Sequence, residues 1–143
     1  MKVLSVRQPW AWAIIYGGKN IENRNWQTSY RGPLAIHAGK TFDINRGDWD
    51  AYHRGVFGEP WQSMARGYSQ QDYHVLGAII GVVDLVDCQP SWACDSPWKA
   101  GDDPDYFCWR LENPHPLVTP VPCKGQLGLF PAPFHLDVAN GER

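Results

Sequence analysis

The chain has 143 residues, a formal net charge of -2, 43% apolar and 20% charged residues, and a sequence pI near 6.2. That length suits one domain with its own core, needing neither disulfides nor metals, and the composition excludes a disordered tail and a fibrous repeat. No apolar run approaches the ~20 residues that cross a bilayer, and the amino terminus lacks the basic-then-apolar layout of a secretory signal, so the chain is read as cytoplasmic.

In chain order, Lys2 to Val6 reads as a short strand. Pro9 suits the first turn of a helix running through Trp10, Ala13 and Ile14 to Tyr16, which Gly17 and Gly18 stop. Asn20 to Trp26 alternates Ile21 against Glu22 as a strand would, Tyr30 to Pro33 reads as a turn, and Leu34 to Ala38 is an apolar strand. From Asp43 to Gln71 the sequence turns polar and aromatic, with Asp43 placed to cap one helix to about Tyr52 and Glu59 and Pro60 placed to open another. Val75 to Val86 is the strongest strand, and Gly77 and Gly81 within it suggest bulges that curl a sheet. Asp87 to Asp105 reads as a long loop, Tyr106 to Glu112 as a strand, the proline-rich run to Pro122 as an extended edge, and Gly125 to Phe130 as a turn with a short element. Five or six short strands with two or three helices predict an α+β fold around a partly open barrel.

Charge is unevenly distributed. Residues 1 to 40 hold Lys2, Arg7, Lys19, Arg24, Arg31 and Lys40 against a single acid, Glu22, which predicts a positive cleft on a mildly acidic body. Glu22 and Arg24, two apart on a strand, share a face and can form a charge-assisted pair. Lys19, three residues from Glu22, reaches it only from the turn. Such a group serves equally as an ion pair at a barrel mouth or as a base-plus-electrophile constellation for hydrolysis of an amide or phosphodiester.

Around it, Gln8 and Trp10 stand at the opening of the first helix, where free N–H groups favour an anion. Trp10 can stack a base or wedge the helix against the sheet. His37 and Lys40 end a strand, the first as a satisfied core imidazole or a mouth residue, the second as a point charge for phosphate or a solvated lysine. Ser96 and Trp98 lie on the long loop as a lid or as staples of an irregular segment. Most of the eight tryptophans are read as core or loop anchors. Cys88, Cys94, Cys108 and Cys123 match no paired zinc-ribbon spacing and are read as reduced thiols. A zinc site recruiting His115 or His135 stays open, because ligands can converge from distant loops, but the leading expectation is neither metal nor cofactor.

Three segments together carry a family likeness: LSVRQPWA, the G-x-K-x-x-E-x-R pattern at Gly17, Lys19, Glu22 and Arg24, and RGPLAIHAGK. With SPW at Ser96 to Trp98 and LENPHPLVTPVPCKGQLGLF, the chain resembles an ASCH domain, the activating-signal-cointegrator homology module of the PUA-like superfamily, and especially the small single-domain proteins of bacteria and prophages. The likeness runs from about Leu4 to Phe130, so residues 1–143 are read as one ASCH domain with a helical and aromatic insertion at about 42–72.

The resemblance implies a PUA-like pseudo-barrel of five or six strands with helices at its mouth and a cleft for RNA or a modified nucleoside. Related proteins include acetylcytidine amidohydrolases, a ribonuclease and modules that only bind, so fold alone does not choose. In the amidohydrolase branch a Thr nucleophile follows the motif Lys by three residues; here Lys19 matches, but that position is Glu22, which could activate water instead. The leading expectation is an RNA- or nucleoside-binding domain with a basic and aromatic cleft and possible RNA hydrolysis. Lys19, Glu22 and Arg24 are the catalytic candidates; Gln8, Trp10, His37, Lys40, Ser96 and Trp98 are the binding candidates. The alternatives are an amidohydrolase of acylated cytidines using Lys19 and Glu22, and a non-catalytic protein-interaction module presenting Trp49 to Tyr68 as an exposed patch.

Overall fold

A computed structural model describes residues 1–43, 75–99, 104–133 and Leu136. The insertion expected at 42–72, with its two helices, and His135 lie almost wholly outside those residues. The described elements are β1 (Lys2–Gln8), α1 (Trp10–Tyr16), β2 (Ile21–Arg24), β3 (Gly32–Phe42), β4 (Ala78–Pro90), a 3-10 turn (Ser91–Ala93), β5 (Phe107–Pro122) and β6 (Leu129–Pro131). They form one mixed six-stranded sheet in the order β2-β5-β4-β3-β1-β6. Strands β1 and β3 run parallel and every other pairing is antiparallel. The architecture is α+β, a partly open barrel of the PUA-like kind.

Strand β1 runs on to Gln8, β2 is trimmed to Ile21–Arg24 and β4 starts at Ala78, and three larger differences from the sequence reading have structural causes. Strand β3 covers eleven residues rather than the apolar five, because its polar end still pairs, Gln8 with Phe42. Strand β4 continues to Pro90, since Asp87 to Pro90 pair with Arg110 to Phe107; the expected loop from Asp87 therefore begins later and opens with the 3-10 turn. The strand from Tyr106 and the proline-rich edge are one strand, β5, sixteen residues long. It accommodates four prolines beyond Glu112 because β2 pairs only with Phe107 to Arg110, so that among the described residues the outer side of the rest has no ladder to break.

The sheet curls through register shifts, one between β3 and β4 and three between β4 and β5, where an extra residue sharpens the local twist. Both faces of the β1–β3 pair are covered, which explains their near-continuous apolar sequence. Leu4, Val6, Leu34 and Ile36 face Ile14, Leu85 and Trp109, while Val3 and Ala35 face Ile79, Val82, Leu117 and Phe130. Helix α1 buries Ala11 to Ile15 and sits directly on Gly81. A Cβ there would lie 2.6 Å from Ile15 Cδ1 and 2.8 Å from the His115 carbonyl oxygen, so only glycine admits the helix at this depth. No helix among the described residues is long and apolar enough to cross a membrane.

Candidate functional site

Among the described residues the sheet does not close on itself. Strand β6 pairs only with Lys2 to Leu4 of β1, so beyond Leu4 the outer edge of β1 faces the free edge of β2 across an open seam. Arg24 of β2 spans that seam, its guanidinium donating to the Ser5 carbonyl at 2.7 Å. A cleft of about 1100 Å³ opens beside it, lined by Arg7, Trp10, Lys19, Glu22, Asn23, Arg24, Trp26, Trp98, Lys99 and Tyr106 among others.

Local chain geometry builds the cleft floor. Helix α1 ends at Gly17, whose N–H bonds the Ala13 carbonyl at 2.9 Å, as does that of Lys19. Gly18, at φ 78°, takes the left-handed conformation that glycine adopts without strain, and the chain turns so that Lys19 lies just before β2. From there its Nζ donates to Glu22 Oε1 at 3.0 Å and to the Ile21 carbonyl. On the other side Arg24 donates through Nε to Glu22 Oε2 at 3.0 Å. The carboxylate is thus held between two cations, with both oxygens engaged.

Burial alone would push the Glu22 carboxyl up, but the charges of Lys19 and Arg24 and their hydrogen bonds outweigh it and hold the group below its ordinary value. Glu22 is accordingly ionised at neutral pH and a weak proton acceptor. Its chemistry is that of a fixed negative charge and an acceptor surface, shielded by two donors.

Aromatic walls rise from this floor. Trp26 meets Trp109 edge to face, with centroids 4.6 Å apart at 84°, and the Trp109 indole donates to the Trp26 carbonyl at 3.1 Å. Trp10 is fixed by its indole N–H to Asp43 Oδ2 at 2.7 Å, and Asp43 also meets Arg7 at 3.3 Å. Trp98 is buried and tied by its carbonyl to the Asn23 side chain at 3.1 Å, and the adjoining Lys99, also a lining residue, donates to the Cys94 carbonyl at 3.2 Å.

Of the sequence candidates, Lys19, Glu22, Arg24, Trp10 and Trp98 line the cleft together. The other four do not. Gln8 is buried, accepting from the Trp12 N–H at 2.9 Å and donating to the Val75 carbonyl at 3.0 Å. Its side chain therefore caps the helix N–H that was expected to receive an anion. Ser96 staples its loop, donating to Asn20 Oδ1 at 2.8 Å and accepting from the Trp98 N–H at 3.2 Å. Lys40 is exposed on β3 with its aliphatic stem near Gly77. His37 is buried behind β1, with both ring nitrogens engaged.

The positive cleft draws on Arg7, Lys19 and Arg24 but not on Arg31, which bonds the Thr28 and Tyr30 carbonyls in its own turn. Asn23, Asn25, Trp26, Lys99 and Tyr106 line the cleft without having been singled out as site residues. The alternation that puts Glu22 and Arg24 on one face flags nothing about the amides of Asn23 and Asn25 beside them. Lys99 and Tyr106 arrive on the segment that leads into β5, the neighbour of β2. No group of three or more His, Cys, Asp or Glu is gathered as metal ligands among the described residues. The four cysteines are free thiols.

These features define a small α+β barrel with a basic, aromatic cleft at its open seam. The family model of the ASCH domain matches residues 4–115, and the chain belongs to the ASCH domain family. Among curated proteins it is similar to activating signal cointegrator 1 of Homo sapiens and of Mus musculus, each 32% identical over 126 residues covering 85% of this chain. The chain spans about 20% of the length of these curated relatives.

Proposed function

We propose that the seam cleft binds single-stranded RNA, taking bases between its aromatic walls and backbone phosphates on its rim cations. The supporting observation is the coincidence, in one cleft, of Trp10, Trp26 and Tyr106 with Arg7, Arg24 and Lys99. Stacking on such rings contributes about 1–3 kcal/mol per base irrespective of sequence. Four cations against two carboxylates among the described lining residues give the cleft a positive excess that the whole chain, at net -2, does not have. Its volume, about 1100 Å³, lies at the upper end of the ~300–1,000 Å³ range usual for ligand pockets. The exposed Asn25 amide offers donors and an acceptor to base edges.

Binding is a better reading than hydrolysis through the motif. A carboxylate with both oxygens paired and its acidity raised is ill suited to activate water, and Lys19 is already committed to Glu22 and Ile21. Calorimetric titration with a short single-stranded RNA at two salt concentrations tests the proposal, with cytidine and acetylcytidine as competing ligands. Affinity should fall with salt. Arg7→Ala should flatten the salt slope by about one unit, and Tyr106→Ala should weaken binding roughly 5- to 100-fold. Absent or salt-insensitive RNA binding overturns it, and so does Glu22-dependent turnover of acetylcytidine without RNA binding.

A further inference from the structure

Ser5 and His37 face each other as register partners on the parallel strands β1 and β3, with Ser5 Oγ 2.9 Å from His37 Nδ1. The other ring nitrogen, Nε2, lies 2.6 Å from the Cys123 carbonyl oxygen. A carbonyl oxygen only accepts, so Nε2 carries the ring proton. In the neutral imidazole Nδ1 is then the acceptor, and the Ser5 hydroxyl donates to it. The imidazole cannot turn away. It is 1% exposed, packed edge-on against Phe130, and closed in by Gly125, where a Cβ would come within 2.9 Å of the ring and 2.8 Å of Ser5 Oγ.

Of this pair, Ser5 is the member that lines the seam cleft, and Arg24 holds its carbonyl at 2.7 Å. A hydroxyl hydrogen-bonded to a fixed base, with that base oriented by a third group, is the arrangement of an activated nucleophile. The geometry points to Ser5 as a nucleophile toward carboxylic esters that enter the cleft, with His37 as its general base. The Cys123 carbonyl is the positioning group.

In the step, the Ser5 O–H bond breaks as its proton passes to His37 Nδ1, and Oγ forms a bond to the acyl carbon. The leaving alcohol departs with the proton from His37, and water then releases the acid from the acyl-serine, regenerating the hydroxyl. No oxidant, reductant or metal is consumed. Glu22 takes no chemical part, so the step does not use the motif carboxylate as a base, and ester and RNA compete for the one cleft that Ser5 lines.

The test is covalent labelling of the intact chain with a small alkyl fluorophosphonate, which forms a phosphorus–oxygen bond at an activated serine and releases fluoride. One adduct per chain is expected, mapped to the Ser5 peptide and absent in Ser5→Ala. His37→Gln should slow labelling about 100-fold or more, the scale of a positioned general base. Should that variant fail to fold, Ser5→Cys replaces it: iodoacetamide should alkylate the introduced thiol at least tenfold faster than the half-buried Cys88 and Cys123 of the same molecule. No adduct on Ser5 overturns the proposal, whatever the cysteine variant does. So does a labelling rate unchanged in folded His37→Gln, or an introduced thiol no faster than its internal references.

Discussion

Replacing Glu22 by Gln keeps the shape of the side chain and removes the charge that two cations share. Lys19 has 3% of its side chain exposed and Glu22 9%, whereas Arg24 keeps 26%, so the loss falls chiefly on Lys19. With a neutral amide opposite, the ammonium is left buried with the Ile21 carbonyl as its strong acceptor. Breaking a buried pair from one side costs about 3–5 kcal/mol, because the desolvation of the remaining charge is no longer offset. Against a total stability of roughly 5–15 kcal/mol that is a large fraction, and at about 3 °C per kcal/mol for a chain of this size it amounts to roughly 10 °C in melting temperature. The loss also has a pH signature. The Glu22 carboxyl is depressed in the folded state relative to its ordinary 4.5, so its contribution is complete above 4.5 and disappears as pH falls through the lower folded value. Urea unfolding followed by tryptophan fluorescence, at pH 7 and in steps below pH 4.5, should show the gap between wild type and Glu22→Gln shrinking on acidification. A gap under about 0.5 kcal/mol at pH 7, or one that persists unchanged into acid, would refute the reasoning and make the triad a solvated surface network.

Two further outcomes follow from the core. Cys108 is fully buried, and burial together with the neighbouring Cys94 thiol pushes its own thiol up to about 12; since the thiolate is the reactive form, alkylation at pH 8 should modify Cys88 and Cys123 and spare Cys94 and Cys108 until denaturant is added. Rapid labelling of all four in the native protein would contradict that placement. Gly81→Ala should destabilise by about 1–3 kcal/mol, since the overpacking cost against Ile15 and the His115 carbonyl exceeds the ~0.4–1 kcal/mol gained by restricting the unfolded chain. A variant as stable as wild type in thermal unfolding would mean that α1 lies less deeply on the sheet.

What can be read from the sequence is mostly local. The G-x-K-x-x-E-x-R spacing identifies the cleft floor because its four members are fixed by one turn and one short strand: Gly17 ends the helix, Lys19 occupies the turn, and Glu22 and Arg24 alternate onto one face. Apolar runs locate β1, β3 and β4 for the same reason. Strand ends escape the pattern where pairing, not side-chain character, sustains the strand, as at Asp87 to Pro90 against β5. Gln8 and His37 stand out as polar groups in apolar surroundings, but the partners that satisfy them, Val75 and Cys123, lie 67 and 86 residues away. Local pattern carries no record of such a distance. Tyr106 and Lys99 reach the cleft only because β5 lies beside β2, a consequence of sheet order that periodicity does not encode.

The triad also explains why the cleft lies where it does. A sheet that leaves β2 and the upper part of β1 without mutual pairing exposes two strand edges, and unpaired edges invite wrong partners unless something covers or charges them. Arg24 does both, placing a cation at the seam and closing it through one hydrogen bond to the Ser5 carbonyl. It can be held there only if its own charge is balanced, which Glu22 supplies, and Glu22 in turn tolerates burial only because Lys19 approaches from the helix side. Each residue of the motif therefore requires the one before it, from the glycine that turns the chain to the guanidinium that clasps the barrel. The cleft is the space that this clasp leaves open, and its positive rim follows from the same chain of requirements.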